Sequence, residues 1–333
     1  MDGRMFFDTH RKQLCAKLLL TLIGTILPFA LMEAVLRIHH LYRKAHSLYI
    51  QVDNPGILFV RKPRSDPEIN SLGFRDYEYP GKKPPGFFRI IVLGDSVTAG
   101  YGAKVEDIFT KQLETLLNRN DRKYEVISLG MNQYSTAQEV AIFRKLGLKM
   151  SPDLVLLAYV LNDPTPDGRI NDFFREDAAP SLVVDWLITK SKVFRKRPQT
   201  EIKGCKSFDY YSKMHCNAVK WAEVSDSFQE LNELSAAYGF RVLVAVFPLL
   251  DNDQQARFED YRWNAVHRQV KDEATRKGFE SVDLLPYFMN WKPSEVKAAA
   301  DDVFHLNKLG HEIAAKAIYG TLIDFKTSGP AQK

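Results

Sequence analysis

The sequence predicts an α/β domain in three layers, a parallel sheet of about five strands with helices on both faces, preceded by an N-terminal transmembrane helix. Three observations lead there. Short apolar runs recur and end in glycine or a polar residue, as strands buried on both faces do. Segments of helical spacing lie between them, the alternation that builds a parallel sheet. An uncharged apolar stretch, Leu18 to Met32, stands near the N-terminus.

That stretch is bounded by Lys17 and Glu33. It reaches the ~20 residues that cross a bilayer if Lys17 snorkels and the helix runs on through Leu36. Residues 14–36 are therefore read as an uncleaved anchor, with Pro28 tolerated as in other membrane helices. A cleaved signal peptide needs small residues at a cleavage site, and none follows before Arg37. Arg4, Arg11, Lys12 and Lys17 precede the run while Arg37, Arg43 and Lys44 follow it, so the charge rule for orientation is nearly balanced.

Residues 37–86, rich in charge, proline and glycine, read as a connecting region. The domain proper then spans 87–328. Its strands are predicted at Phe88–Leu93, Tyr124–Leu129, Asp153–Val160, Arg241–Phe247 and, more weakly, Phe279–Leu284. Helices are predicted over Glu106–Asn118, Ser135–Leu148 with Ser135 or Thr136 as cap, Trp221–Tyr238, about Gln254–Lys277, and Lys308 to about Phe325. The stretch 164–217 breaks the rhythm and is too long for an ordinary crossover. It reads as a surface insertion or as a lid over the active site. It holds the basic run KSKVFRKRP and two of the three cysteines, Cys205 and Cys216, as free thiols or as a short disulfide loop if the domain is exported.

Composition narrows the function. Hydrophobic residues make up 45% and charged residues 26%, the balance of a chain that buries a core. A net charge of +5 is too small to argue for nucleic acid. Neither zinc-ligand spacing nor a phosphate-binding glycine loop is present, so no cofactor and no metal are expected.

Ligands of an open parallel sheet bind beyond the carboxyl ends of its strands. Gly94-Asp95-Ser96-Val97-Thr98-Ala99-Gly100 follows the first strand, Gly130 and Asn132 the second, and Asn162-Asp163 the third. Asp302-Val303-Phe304-His305 precedes the last helix. A serine hydroxyl becomes a nucleophile when a base takes its proton, and His305 can serve. Asp302 can accept the other imidazole N–H and fix the tautomer, a role its three-residue offset favours over Asp301. The N–H groups of Ser96 and Gly130 and the Asn162 amide can face an oxyanion. Asp95 reads as a local hydrogen-bonding residue, His311 as a packing or capping residue, and Arg75 as a salt-bridge residue rather than an anion contact.

These blocks resemble those of the SGNH (GDSL-type) hydrolases. GDSVTAG matches the first block, SLGMNQYST the glycine block, LND the asparagine block, and DxxH followed by LNKLGH the histidine block. One departure is Val160, where the asparagine block usually carries glycine. The resemblance spans about Arg89 to Ile318 and implies a flavodoxin-like order with the first strand between the second and third. It implies Ser96, Asp302 and His305 as catalytic residues and Ser96, Gly130 and Asn162 as the oxyanion hole.

NSLGFRDYEYP, Asn70 to Pro80, together with the anchor is similar to a bacterial membrane-bound subgroup that acts on cell-surface polysaccharides. That implies residues 1–13 in the cytoplasm and the catalytic domain on the periplasmic or extracellular side of the inner membrane. The expected activity is hydrolysis of an O-acyl ester, on a surface glycan. Acyl transfer to a polysaccharide uses the same machinery, and a non-catalytic glycan-binding or assembly subunit is the reading from another class.

Overall fold

The computed structural model describes residues 3–52, 58–119, 123–164, 176, 179–190, 201–250 and 257–327. The chain divides into two compact units. One comprises Met1–Ser47 and Asp172–Pro198, the other Leu48–Asn171 and Gln199–Lys333.

The first unit is built on helix α1, Gly3–Ala45. One segment of it, Gln13–Ala45, is long and apolar enough to cross a membrane. Its large apolar side chains from Leu14 to Leu31 are all exposed. The helix thus runs nine residues beyond the end predicted for the anchor.

The second unit opens with a short antiparallel pair, β1 (Tyr49–Gln51) and β2 (Phe59–Arg61). Five parallel strands follow: β3 (Phe88–Gly94), β4 (Tyr124–Ser128), β5 (Leu154–Tyr159), β6 (Arg241–Val246) and β7 (Glu280–Asp283). Their order is β4-β3-β5-β6-β7, so the first sheet strand lies between the second and third. Every residue of β5 is buried, which is why that strand is apolar without alternation.

The helices after α1, in chain order, are α2 (Phe109–Leu117), α3 (Thr136–Lys145), α4 (Leu182–Lys190, in the first unit), α5 (Tyr210–Cys216), α6 (Ala218–Tyr238), α7 (Asn264–Arg276), α8 (Leu285–Phe288), α9 (Pro293–Val296) and α10 (Lys308–Thr327). Asn217 caps α6 by accepting from the N–H groups of Val219 and Lys220, and Gly239 closes it at φ +77°. The helix predicted over Glu106–Asn118 is a 3₁₀ turn, Val105–Asp107, and then α2. Ile108 is extended between them, with its side chain against Gly100. The helix predicted from about Gln254 begins only at Asn264. Residues 254–256 lie outside the described residues, and Phe258–Asp260 is a separate 3₁₀ turn.

Residues 48–52 and 58–86, within the stretch read as a connecting region, fall in the same compact unit as the sheet. Arg89, fully buried, pairs with Glu125 at 2.6 Å and donates to the carbonyls of Pro80, Gly81 and Met150. Lys111, also buried, meets Asp76 at 2.5 Å and the Val126 carbonyl at 2.6 Å, while Asp76 accepts from the Ser128 N–H. Buried charges survive only when paired and hydrogen-bonded. These two fix the segment 76–81 to the sheet. Of the insertion, residues 165–175, 177–178 and 191–200 lie outside the described residues. Cys205 and Cys216 form a disulfide.

Candidate active site

The chain leaves β3 to one side for β4 and later to the other for β5. The crevice at the carboxyl end of β3 is therefore the topological switch point of the sheet. Ser96 stands in the turn there. Asp95 shapes that turn: its Oδ1 accepts from the Val97 N–H at 2.8 Å and its Oδ2 from the Asn162 amide at 3.1 Å. Burial pushes the Asp95 carboxyl up, against these two bonds and the nearby His305, which lower it. Gly100, at φ +70°, turns the chain into the following loop.

Arg75 closes the turn from outside. Its guanidinium donates to the carbonyls of Ala99 (3.2 Å), Gly100 (2.6 Å) and Ala103 (2.5 Å) and pairs with Glu68 at 2.6 Å. Arg75 is thus a brace for the serine loop. The salt bridge was legible in the sequence; the three carbonyls were not.

His305 lies across the crevice. Its Nε2 is 2.8 Å from Ser96 Oγ, and its Nδ1 is 2.7 Å from Asp302 Oδ2. The hydrogen-bond network assigns the proton to Nδ1, so Nε2 accepts from the serine hydroxyl. The other Asp302 oxygen accepts from the N–H groups of Phe304 and His305 at 2.8 and 2.9 Å. Burial raises the Asp302 carboxyl, but these backbone bonds and the imidazole outweigh it and hold the group below the usual carboxylate range. The Tyr101 ring, itself exposed, lies 4.9 Å from the imidazole.

Ser96, Asp302, His305 and Asn162 meet at this crevice, with Gly130 packed against the serine loop. A side chain at Gly130 would stand 2.6 Å from Ala99 N and 2.7 Å from the Thr98 carbonyl carbon, so only glycine lets β4's exit pass this closely. Its N–H, however, donates to Ser128 Oγ at 3.2 Å. The Ser96 N–H enters no hydrogen bond among the described residues. His311 sits behind the site with Nδ1 accepting from the Phe109 N–H at 3.3 Å, and burial, with the charges of Arg75 and His305, brings it down to about 3.

On the far side of His305, Phe304 packs edge-on against Tyr211 of α5. The opposite side of α5 lines a groove of about 690 Å³ walled by the disulfide. Lys203, Lys206, Arg262 and Arg268 rim it beside Trp221, and no carboxylate among the described residues lines it. Neither α5 nor this groove was predicted, because the charged stretch around the cysteines carries no clear helical period.

The profile of the GDSL-like lipase/acylhydrolase family matches residues 92–313. The chain belongs to that family, and it is a serine hydrolase of the SGNH type. No curated protein matches it. Among solved structures it is similar to a catalytic mutant of an acetylxylan esterase from Geobacillus stearothermophilus, at 15% identity and a TM-score of 0.46, covering 71% of this chain and 94% of that one. It is also similar to a lipase/acylhydrolase from Enterococcus faecalis, at 14% identity and a TM-score of 0.43, covering 72% and 97%.

Proposed function

We propose that this protein hydrolyses an O-acyl ester through an acyl-enzyme on Ser96. The observation that carries this is the unbroken line from Asp302 through His305 to Ser96 Oγ, set at an open switch point. Ser96 Oγ attacks the ester carbonyl carbon as its proton passes to His305 Nε2. The resulting imidazolium is stabilised by Asp302 and then returns the proton to the departing alcohol. Water, deprotonated by the same nitrogen, attacks the acyl-enzyme and releases the acid. The oxyanion falls to the Ser96 N–H and the second N–H of the Asn162 amide, whose first is held by Asp95. Gly130 joins them on releasing Ser128 Oγ.

The alcohol component is assigned to a glycan, for which the cationic, aromatic-edged groove beside α5 offers a bed. The disulfide supports a catalytic unit in an oxidising compartment, and the N-terminal helix supports single-pass anchoring with that unit outside the inner membrane.

The test is fluorophosphonate labelling of the full chain in detergent, followed by acetate release from an acetylated polysaccharide with and without an added acceptor sugar. Label that disappears in Ser96→Ala and falls in His305→Ala, with acetate released to water, is the expected result. Turnover that depends on the acceptor would make the protein a transferase. No label on a folded chain would overturn both readings and leave a binding subunit.

A further inference from the structure

The first charge after the apolar run, Glu33, does not point idly into solvent. Its carboxylate accepts from Ser181 Oγ at 2.8 Å, from the Leu182 N–H at 3.1 Å and from the Val183 N–H at 2.9 Å. It thereby satisfies N–H groups at the start of α4 that no helical partner can reach. One turn on, Arg37 pairs with Glu33 at 2.7 Å and donates to the Pro180 carbonyl at 2.8 Å. His40 and Arg43 face Glu176 at 3.3 and 3.2 Å. The chain before α4 is therefore pinned to one stripe of α1, made of residues 33, 37, 40 and 43.

Where that stripe stops is informative. Every large apolar side chain of α1 from Leu14 to Leu31 stays exposed, so α4 covers none of that run. It leaves α1 at the level of Glu33, the boundary between the apolar run and the charged turns that follow. Its own composition is unsuited to water. Leu182 and Val183 are buried, but Val184, Trp186, Leu187 and Ile188 are 52%, 48%, 40% and 50% exposed. Four large apolar residues in five positions form an exposed apolar patch. A tryptophan at the edge of a spanning segment marks the interfacial layer.

We infer that α4 lies in the interfacial layer of the bilayer, with Val184, Trp186, Leu187 and Ile188 among the headgroups and upper acyl chains. This rests on the reading of α1 as a spanning helix. The partner is lipid: the same unit presents the spanning surface, and the patch begins where that surface ends. The chain then enters the membrane twice, once across it and once along it, and Glu33 is the joint between the two. For this part of the insertion 164–217, the assignment replaces the expected lid.

The experiment uses the full chain reconstituted into phosphatidylcholine/phosphatidylglycerol vesicles, with Trp186→Phe for comparison, so that the difference in emission reports Trp186. Lipids brominated at a shallow or a deep acyl position serve as quenchers, and iodide as the aqueous one. The expected result is a Trp186 component quenched at least twofold more by shallow than by deep bromines and shielded from iodide. A component untouched by brominated lipid but open to iodide, in vesicles that carry the protein on flotation, would overturn the inference and leave the anchor standing. Protein that fails to float would overturn the anchor itself. Leu187→Trp compared with the wild-type chain repeats the measurement one position along, should Trp186→Phe disturb folding.

Discussion

Asp302, His305 and the Ser96 hydroxyl form one acid–imidazole–hydroxyl line; Asp283, His267 and the Tyr261 hydroxyl form another. In the second, His267 Nδ1 is 2.8 Å from Asp283 Oδ1 and Nε2 is 2.8 Å from the Tyr261 oxygen, distances that match the first within about 0.1 Å. Hydrogen-bond lengths do not tell them apart. Access does: the His267 side chain is 1% exposed, against 17% for His305. So does the hydroxyl's own company. Tyr261 already accepts from the Leu249 N–H, while Ser96 stands beside an N–H of its own with no partner among the described residues. A relay becomes a candidate catalyst when its hydroxyl opens on a place where charge can develop and be met. With its imidazole buried, the same relay holds β7 to the helix beside it.

The largest expected effect separates the two directly. Ser96→Ala or His305→Ala should lower kcat by about 10⁴–10⁶, with a melting temperature close to wild type, read by ester turnover and calorimetry. Removing the histidine of the buried line should do the reverse. His267→Ala takes one hydrogen-bond partner from Asp283 and one from Tyr261, and about 2–4 kcal/mol of stability should be lost in urea titration while kcat stays within a few fold. If His267→Ala instead abolished turnover in a folded protein, the contrast drawn from access would fail.

Asp302→Asn sharpens the comparison within the open line. The amide retains the shape but favours the wrong tautomer, and kcat should fall about 10³–10⁴-fold. Asn162→Ala, which removes one of the donors proposed for the oxyanion, should cost about 10²–10³ in kcat with a smaller change in KM.

A third imidazole supplies the smallest effect. Burial keeps His311 neutral in the folded protein down to about 3, against an ordinary value of 6.5. Between these values the unfolded chain binds the proton and the folded one does not, so this group costs stability as pH falls. The linkage amounts to about 3 kcal/mol between pH 7 and pH 4. The difference in that pH dependence between wild type and His311→Gln, measured by chemical denaturation, should show it.

Much of this was legible in the sequence, for reasons that differ from place to place. Strands buried on both faces are apolar throughout, so β3 and β5 announced themselves, and Ser96 and Asn162 were singled out because they stand where those strands end. Asp302 was singled out through His305, three residues away and within reach of the same turn. The His267 line was not found, because Tyr261, His267 and Asp283 sit on three elements and share no spacing. Arg75, Arg89 and Lys111 look like solvated charges in a sequence. Only the fold shows that they are inside, with carbonyls and carboxylates gathered round them. The start of α7 was missed because the helical spacing carries on upstream of Asn264. Asp209 illustrates a local signal overlooked: it caps α5 by accepting from the N–H groups of Tyr211 and Ser212, within a stretch read only as polar.

Arg75 and Arg89 also bear on how portable this enzyme is. The core shared with the family begins at residue 92, yet the brace on the serine loop comes from residue 75. The residues gathered round Arg89 reach back to Pro80. A fragment cut at residue 87 would keep every block by which the family is recognised and lose the arginine that braces the Ser96 loop. One cut at residue 48 would keep both. Grafting the recognised core into another chain is therefore not grafting the catalyst, for the inherited part and the working part have different edges.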